Sequence, residues 1–381
     1  MRSGQWRRWR STATLAGILL VAAGCSGSSG TTDKAGAGAG QSSAGRSSSA
    51  SARSSSSHPA KAQVKLAFGG DIHFADYLAP LATDPAGLAP LAGLWGDADL
   101  RMANLETAIT ERGTPEPKAF HFRAPASALT TLKGGGLTVL TQANNHAVDY
   151  GLVGLGDTLA AKKTSPVPIV GLGANEAEAF APTILDVAGL HVAVFGVDQV
   201  RDETTLPLHS ASATQPGVAS SDPPDRIASA VAAIRDTVDL VVVFVHWGDD
   251  YQSCPDGRST ATAQALATAG ADIVVGAHSH RVNGAGWLGS TYVDYGLGNF
   301  VWWRSAEPDS RTGILTLTVD AAAARTTRPG ARSAPVVTDA VWRPLLIGAN
   351  GIPAAPAAAD AARLLDLWEQ ARACTGLSGT P

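Results

Sequence analysis

The feature of this sequence that most constrains its fold is a series of apolar runs in which hydrophobic residues follow one another without alternation. Such runs are typical of strands that are buried on both faces. Segments with helical character separate several of them, which indicates a layered α/β fold, and the later runs favour a more antiparallel sheet. The predicted strands are 64–68, 137–140, 168–170, 191–195, 240–245, 272–275, 291–295 and 313–319, and the predicted helices are 86–94, 151–162, 225–237, 259–269 and 357–373.

The first 25 residues have the pattern of a secretory signal peptide. A basic start precedes an apolar run at 14–23 that is too short to span a bilayer comfortably. Small residues then lead to Cys25, and this ending resembles a bacterial lipobox, in which Cys25 would carry the lipid and become the mature N-terminus. An ordinary signal peptide that is cut elsewhere is the alternative. The basic residues are Arg2, Arg7, Arg8 and Arg10.

The composition changes twice along the chain. Residues 26–62 are mainly glycine, serine and alanine, which predicts a disordered tether because such a segment cannot bury enough apolar area to offset its chain entropy. Residues 63–375 show no further boundary and form one predicted domain. We therefore expect an extracytoplasmic protein that is lipid-anchored to the cell membrane. The net charge of −4 gives no reason to expect a nucleic-acid partner.

The chain has three cysteines, and Cys25 is accounted for by the lipobox. Cys254 and Cys374 are left as an even pair in an oxidising compartment, so we predict a disulfide between them. Two free thiols are the alternative.

Polar residues cluster where five of the apolar segments end. Ligands of open α/β sheets bind at the carboxyl ends of the strands, so these clusters are expected to meet at one point. Five of the nine histidines fall in them. The clusters are Gly70-Asp71-Ile72-His73, Asn104-Leu105-Glu106, Asn144-Asn145-His146 with Asp149, His246-Trp247-Gly248, and Gly276-Ala277-His278-Ser279-His280.

The residue types in these clusters favour a metal centre. Asp-x-His and His-x-His on an extended chain direct both side chains to one side, because the period of a strand is two. A mixture of carboxylate, amide and imidazole ligands favours Mn, Fe or Zn. Seven possible ligands are too many for one tetrahedral zinc and suit two metals that share a carboxylate, about 3.5–4 Å apart.

These motifs also resemble a known group of proteins. Gly70-Asp71-x-His73, Asn144-Asn145-His146 and Gly276-x-His278-x-His280 are similar to the signatures of the calcineurin-like metallophosphoesterase superfamily. The segments 104–106, 118–125, 143–151, 246–248 and 295–300 more closely resemble the CapA family of capsule or poly-γ-glutamate biosynthesis proteins. The resemblance covers about residues 64–303. It implies a layered metallophosphatase-like fold, with central β-sheets flanked by helices and the active site at the carboxyl ends of the strands.

The resemblance implies a role for each site residue. Two metals would be bound by separate sets of ligands, with Glu106 as the bridge between them. His146 would help to protonate the leaving group or steady the transition state, while Asp149 would either orient His146 or cap the next helix. In place of the Glu-Tyr that the family often has, this chain has Asp250-Tyr251. The implied ligands are Asp71, His73 and His280 for the first metal, Glu106 as the bridge, and Asn145, His246 and His278 for the second.

Three cations could bind an anionic substrate, or could be ordinary solvated side chains: Lys118, Arg123 and Arg281. The expected function is a metal-dependent hydrolase that acts in the cell envelope on a phosphoester or on an amide of an anionic polymer such as poly-γ-glutamate. The alternative is a non-catalytic, metal-containing accessory or scaffold protein for capsule or poly-γ-glutamate assembly.

Overall fold

The computed structural model describes residues 61–200, 209–326 and 330–381. The predicted signal peptide, Cys25 and the predicted tether up to residue 60 lie outside this part of the chain. The first strand begins at Gln63, the residue at which the predicted domain starts. Within the described part, no helix is both long enough and apolar enough to cross a membrane.

The regular elements alternate along much of the chain. The strands are β1 (Gln63–Ile72), β2 (Leu100–Leu105), β3 (Ala108–Ile109), β4 (Arg123–Ala124), β5 (Val139–Thr141), β6 (Ile169–Val170), β7 (Leu172–Gly173), β8 (Thr183–Val187), β9 (Leu190–Asp198), β10 (Gly217–Val218), β11 (Leu240–Trp247), β12 (Ile273–His278), β13 (Ala285–Leu288), β14 (Thr291–Asp294), β15 (Asn299–Val301), β16 (Arg311–Asp320), β17 (Val337–Ile347) and β18 (Pro353–Ala354). The helices are α1 (Ala89–Ala92), α2 (Ala128–Gly134), α3 (Gly151–Thr164), α4 (Glu176–Ala179), α5 (Asp225–Ile234), α6 (Gly257–Ala269), α7 (Ala321–Ala324) and α8 (Ala358–Ala371).

Two large sheets organise these strands. The first has the order β18-β17-β16-β1-β2-β5-β6, with β15 beside the end of β1. Its β1, β2, β5 and β6 are parallel, whereas β16, β17 and β18 are antiparallel. The second has the order β13-β14-β12-β11-β9-β8, with four parallel strands in the centre and an antiparallel strand at each edge. The predicted α/β class and the more antiparallel later strands are both confirmed.

The core lies on both faces of each sheet, which explains the continuous apolar runs. In β11, Val242 and Phe244 point inward and join a cluster that also contains Leu66 and Phe68 of β1. The alternate residues of β11, such as Val243, point outward into a cluster that includes residues of α5 and α6. Full burial of such a side chain contributes about 1.5–3 kcal/mol. The result is two sheets face to face with helices on the outside.

Several boundaries differ from the prediction for local reasons. The helix predicted over 86–94 is reduced to α1, which has Pro90 in its first turn, and to a 3-10 turn over Gly93–Trp95. The C-terminal helix ends at Ala371 rather than at 373. Strand β17 was not predicted, because exposed residues and Pro344 interrupt its apolar pattern.

The C-terminal helix is attached to the sheets in two ways. Trp368 of α8 stacks on Trp342 of β17 with ring centroids 5.7 Å apart. The structure also joins Cys254 to Cys374 in a disulfide, with Cα atoms 5.8 Å apart. This bond links the loop after β11 to the 3-10 turn that follows α8.

Candidate metal centre

The carboxyl ends of strands from both sheets meet at one polar centre. Asn104 of β2 connects them: its side-chain amide donates to Asp71 Oδ1 of β1 over 2.8 Å and lies 3.2 Å from His246 Nδ1 of β11. The amide of Asn144, after β5, donates to Asn104 Oδ1 over 2.9 Å. Asn104 and Asn144 therefore position their neighbours through hydrogen bonds.

Glu106 is the most unusual residue of this centre. Its side chain is fully buried, and neither carboxylate oxygen has a hydrogen-bond partner. Burial raises the pKa of Glu106 well above its ordinary value, and the charges of Asp71 and Asp250 raise it further. A buried carboxylate without partners costs several kcal/mol, on the order of the penalty for an unpaired buried charge. A bound cation would remove that cost.

Three imidazole nitrogens nearby are also buried without a hydrogen-bond partner. They are His73 Nε2, His278 Nδ1 and His280 Nδ1. Burial lowers the pKa of His73 and His278 well below the ordinary value, and it does the same for His246. Neutral imidazoles with free lone pairs are the form that binds metal ions. The donor set therefore fits a divalent cation rather than a network of internal hydrogen bonds.

Two groups of side chains in the described part of the chain are spaced to hold metal ions. One is Glu106, His246 and His278, and the other is Asp71, Glu106 and His280; in each, the ligand atoms lie within 4.8 Å of one another. Glu106 belongs to both groups. Asn145 Oδ1 lies 3.1 Å from His246 Nε2, which in turn lies 3.5 Å from Glu106 Oε1.

His73 is the one predicted histidine ligand that is outside these two groups. Its Nδ1 accepts a hydrogen bond from the backbone N–H of Ala75 over 3.0 Å, and its Nε2 is buried without a partner. While Nδ1 accepts, a neutral imidazole carries its proton on Nε2, so His73 would bind a metal through Nε2 only after giving up this hydrogen bond. The structure thus places His73 beside the centre but outside both ligand groups.

The backbone at the end of β12 is strained. His278 and His280 have φ angles of 95° and 52°, in a region that L-residues rarely adopt. The N–H of His278 donates to Asp71 Oδ2 over 3.2 Å, which helps to hold this conformation. Strain of this kind costs on the order of 1–3 kcal/mol and clusters at functional sites.

Gly70 is required by close backbone packing next to Asp71. A Cβ at this position would lie 1.9 Å from the carbonyl oxygen of Gly298. The N–H of Asp71 donates to the same carbonyl over 3.0 Å. The glycine of the Gly70-Asp71 motif therefore allows β1 to approach the turn before β15 and fixes the position of Asp71.

His146 and Asp149 form a pair at the edge of the centre. His146 Nδ1 lies 2.7 Å from Asp149 Oδ2, and His146 Nε2 lies 3.7 Å from Glu106 Oε1. Asp149 also accepts from the N–H of Phe122 over 2.6 Å and pairs with Lys118 over 2.6 Å. Burial raises the pKa of Asp149 to about 6, against the charge of Lys118. The side chain contacts His146, and α3 begins without a side-chain cap.

Aromatic rings fix the orientation of the histidines. Phe122 stacks between His73 and His146, with ring centroids 4.3 and 4.2 Å away. Trp302 packs edge-on against His73 at 4.2 Å and lies 4.6 Å from His280. Sequence reasoning did not assign these roles; the proximity of Phe122 to Lys118 in a family-like segment was the available signal.

The three predicted substrate-binding cations have different surroundings. Lys118 lines a pocket of about 170 Å³ over the centre, where it pairs with Asp149 and donates to the carbonyl of Asn145. Arg123 stacks on Tyr150, 4.7 Å from the ring centroid, and is not among the described residues that line this pocket.

Arg281, the third predicted cation, pairs with Asp309 over 2.7 Å and lies outside the pocket lining. The pocket is instead lined by an arginine that sequence reasoning missed. Arg304 pairs with the same aspartate over 3.1 Å, and it does line the pocket. No sequence motif marked Arg304. The remaining wall is formed by Asp250, Tyr251, Trp302, Trp303 and Phe120.

The chain is similar to known bacterial proteins. A family model described as "Bacterial capsule synthesis protein PGA_cap" matches residues 65–302. The capsule biosynthesis protein CapA of Bacillus anthracis is 35% identical over 198 residues, which cover 50% of this chain and 47% of that protein. The PGA biosynthesis protein CapA of Bacillus subtilis (strain 168) is 32% identical over 217 residues, which cover 55% of this chain and 56% of that protein.

The chain therefore spans about half the length of these two relatives. A crystal structure of a hypothetical protein from Thermus thermophilus is 16% identical, with a TM-score of 0.41, and covers 67% of this chain and 93% of that one. The family match includes every residue of the metal centre. The chain belongs to the PGA_cap family of bacterial capsule synthesis proteins.

Proposed function

We propose that this chain is an exported, metal-dependent hydrolase with a dinuclear centre that acts on a phosphoester or on an amide of an anionic polymer in the cell envelope. The observation that carries the proposal is Glu106: a fully buried carboxylate without a hydrogen-bond partner that is shared by two possible ligand groups. One shared carboxylate between two groups is the arrangement that a pair of metal ions needs. The names of the Bacillus relatives, which concern capsule and PGA biosynthesis, support an anionic polymer as the substrate.

The residues around Glu106 would hold the metals. Asp71, His73 and His280 would hold one, and Asn145, His246 and His278 the other, with Glu106 contributing to both. Manganese, iron and zinc all suit this mixture of oxygen and nitrogen ligands. When bound, two such ions would polarise a phosphoryl or carbonyl oxygen and make a water more acidic.

The chain's own groups would handle the proton. Asp149 accepts from His146 Nδ1 and so turns Nε2 toward Glu106 and the pocket. From that position His146 Nε2 can hold a proton and deliver it to a leaving group. Phe122 keeps the imidazole plane fixed, and Lys118 balances the charge of Asp149.

The metal content of the purified chain tests the first part of the proposal. We expect close to two transition-metal ions per chain by elemental analysis, and at most one in Glu106→Gln. Asp294→Asn is a matched control, since Asp294 is also fully buried with an unpartnered oxygen but is in neither ligand group. An empty or mononuclear wild-type centre would remove the two-metal claim.

Activity tests the second part. The metal-loaded chain is incubated with bis(4-nitrophenyl) phosphate, and separately with poly-γ-glutamate whose length is followed by size-exclusion chromatography. We expect turnover of at least one substrate, reduced about 10²–10⁴-fold in His146→Ala, the usual contribution of a general acid. Two metals without turnover of either substrate would favour the accessory or scaffold function.

We also propose that Cys25 carries a lipid that anchors the chain to the outside of the cell membrane. The basic start, the short apolar run and the small residues before Cys25 support this. A Cys254–Cys374 pair suits an oxidising compartment. Cells labelled with radioactive palmitate should yield a labelled protein, and Cys25→Ala should abolish the label. A wild-type protein without label would contradict the anchor.

A further inference from the structure

The two ring nitrogens of His278 have different surroundings. Nδ1 is buried and has no hydrogen-bond partner. Nε2 lies 3.5 Å from Oδ1 of Asp250. A neutral imidazole carries one proton, and a carboxylate next to one nitrogen favours the proton on that nitrogen. The lone pair is then left on Nδ1, the nitrogen that has no partner within the protein.

The loop that carries Asp250 is held in place from several directions. The N–H of Tyr251 donates to the carbonyl of Ser279 over 2.7 Å, next to His278 in the chain. The ring of Tyr251 lies under Arg281, 4.8 Å from the guanidinium carbon. The Cys254–Cys374 disulfide attaches the end of the same loop to the C-terminal region. Asp250 is therefore held beside His278 although its side chain is 58% exposed.

We infer that Asp250 is a positioning residue for the candidate metal centre: its carboxylate, 3.5 Å from Nε2 of His278, keeps the proton on that nitrogen and would thereby direct Nδ1 to the metal that His278, Glu106 and His246 would hold. This inference rests on the proposed function, because it assigns a partner to one of the proposed ligands. A carboxylate that accepts from the second nitrogen of a ligating histidine fixes the tautomer and makes the ligand more basic. Asp250, although shorter than the glutamate that the family often has here, can fill that role because the loop brings its Oδ1 to 3.5 Å from His278 Nε2.

Metal affinity provides the test, since it does not depend on knowing the substrate. The purified full chain is stripped with a chelator and titrated with Mn²⁺ or Zn²⁺ against a fluorescent competitor. We expect Asp250→Ala to weaken one of the two sites about 10–100-fold, the usual effect of losing such a partner. Asp250→Glu should restore the affinity to within about threefold, because the longer side chain still offers an acceptor.

Asp249→Ala is the matched control. Asp249 lies in the same loop with a side chain that is 68% exposed, and its Oδ1 is 4.0 Å from Arg258 Nη2. It should bind both metals as the wild type does. An equal loss in Asp249→Ala would mean that the loop's charge in general, not Asp250, supports the site, and would overturn the inference.

The titration also separates this inference from the proposed function. If the wild type binds two metals and Asp250→Ala binds them equally well, the inference fails and the dinuclear centre stands. If the wild type binds fewer than two metals, the proposed function fails and the inference fails with it. Co²⁺ loading adds a structural readout: the visible spectrum of Asp250→Ala should differ from that of the wild type, whereas that of Asp249→Ala should not. An unchanged Asp250→Ala spectrum would also overturn the inference.

Discussion

A buried carboxyl group lies near each end of β11 and β12, and the two groups have opposite hydrogen-bonding surroundings. At the amino end, Asp272 is 1% exposed; it accepts from Arg235 Nη1 over 2.7 Å and from the N–H of Val241 over 2.8 Å, and its other oxygen pairs with Arg332. At the carboxyl end, Glu106 lies in the candidate metal centre, and neither of its carboxylate oxygens has a hydrogen bond. The same layered core surrounds both.

The arginines at the amino end also donate to backbone carbonyls. Arg332 donates to the carbonyl of Asp239 over 2.6 Å and to that of Ala324 over 3.0 Å. Arg235 donates to the carbonyl of Val238 over 2.8 Å. A buried carboxylate whose two oxygens have partners within the protein stabilises the fold, whereas one without partners has capacity for a ligand. The comparison assigns stability to the amino end and the candidate metal site to the carboxyl end.

The largest expected effect is on stability, from removing the charge of Asp272. Asp272→Asn should lower the free energy of unfolding by about 3–5 kcal/mol, because it leaves two buried guanidinium groups without their counter-charge. Urea unfolding measures the loss. The fraction that stays folded should still bind metal, because the centre is at the other end of the strands.

The control for this variant is Asp236→Asn, an exposed acid directly after Arg235. It should change the free energy of unfolding by no more than about 0.5 kcal/mol. A folded Asp272→Asn protein that has lost its metals would contradict the separation of the two ends.

The second effect is the stability that metal binding at the carboxyl end should add. Metal binding should stabilise the wild type by about 2.7 kcal/mol at a free metal concentration 100 times Kd, because only the folded state presents the complete centre. Chelation should remove this gain. In Glu106→Gln the chelator should change the melting temperature much less, because the variant lacks the carboxylate that would bind the metals. An equal shift in both proteins, measured by differential scanning fluorimetry, would mean that the metal acts elsewhere.

The third effect uses Asp294, a carboxyl group that is intermediate between the two. One oxygen accepts from the N–H of Gly296 over 2.8 Å, and the other is buried without a partner. Burial raises the pKa of Asp294 well above its ordinary value of 3.8. Below pH 3.8 both the folded and unfolded states are protonated, and the folded state keeps its full stability.

As the pH rises above 3.8, the unfolded chain releases the Asp294 proton while the folded chain retains it, so the stability falls until the pH passes the raised pKa. The loss is about 1.4 kcal/mol for each unit by which the pKa is raised. Asp294→Asn should remove this slope. Urea unfolding of both proteins as the pH rises from the acid range gives the difference; parallel curves would show that folding does not raise the pKa of Asp294.

Much of the clustering at the candidate metal centre could be predicted from the sequence, because its residues follow strands of regular geometry. Asp71, His246 and His278 each come at the end of a buried apolar run, and parallel strands bring such ends together. The fold class was predictable for the same reason: the continuous runs require cover on both faces.

The rest depended on contacts between segments that are distant in the chain. Asp250 approaches His278 because the loop after β11 is held by Ser279 and by the disulfide. Phe122 inserts between two histidines from different clusters. Neither arrangement has a periodic pattern in the sequence, and the positive φ of Tyr251, 64°, has no local signal such as a glycine.

The smallest expected effect concerns two arginines near the centre and tests whether position or charge decides a role. Arg304 lines the pocket, whereas Arg123 covers the ring of Tyr150 beside it. Arg304→Ala should raise KM for the anionic substrate about tenfold with kcat nearly unchanged, equivalent to about 1.4 kcal/mol of binding. Arg123→Ala should change KM less than about twofold and cost about 0.5–1 kcal/mol of stability through the lost cation–π contact. Steady-state kinetics of both variants decides, and a larger KM effect in Arg123→Ala would mean that the substrate extends past the pocket toward Tyr150.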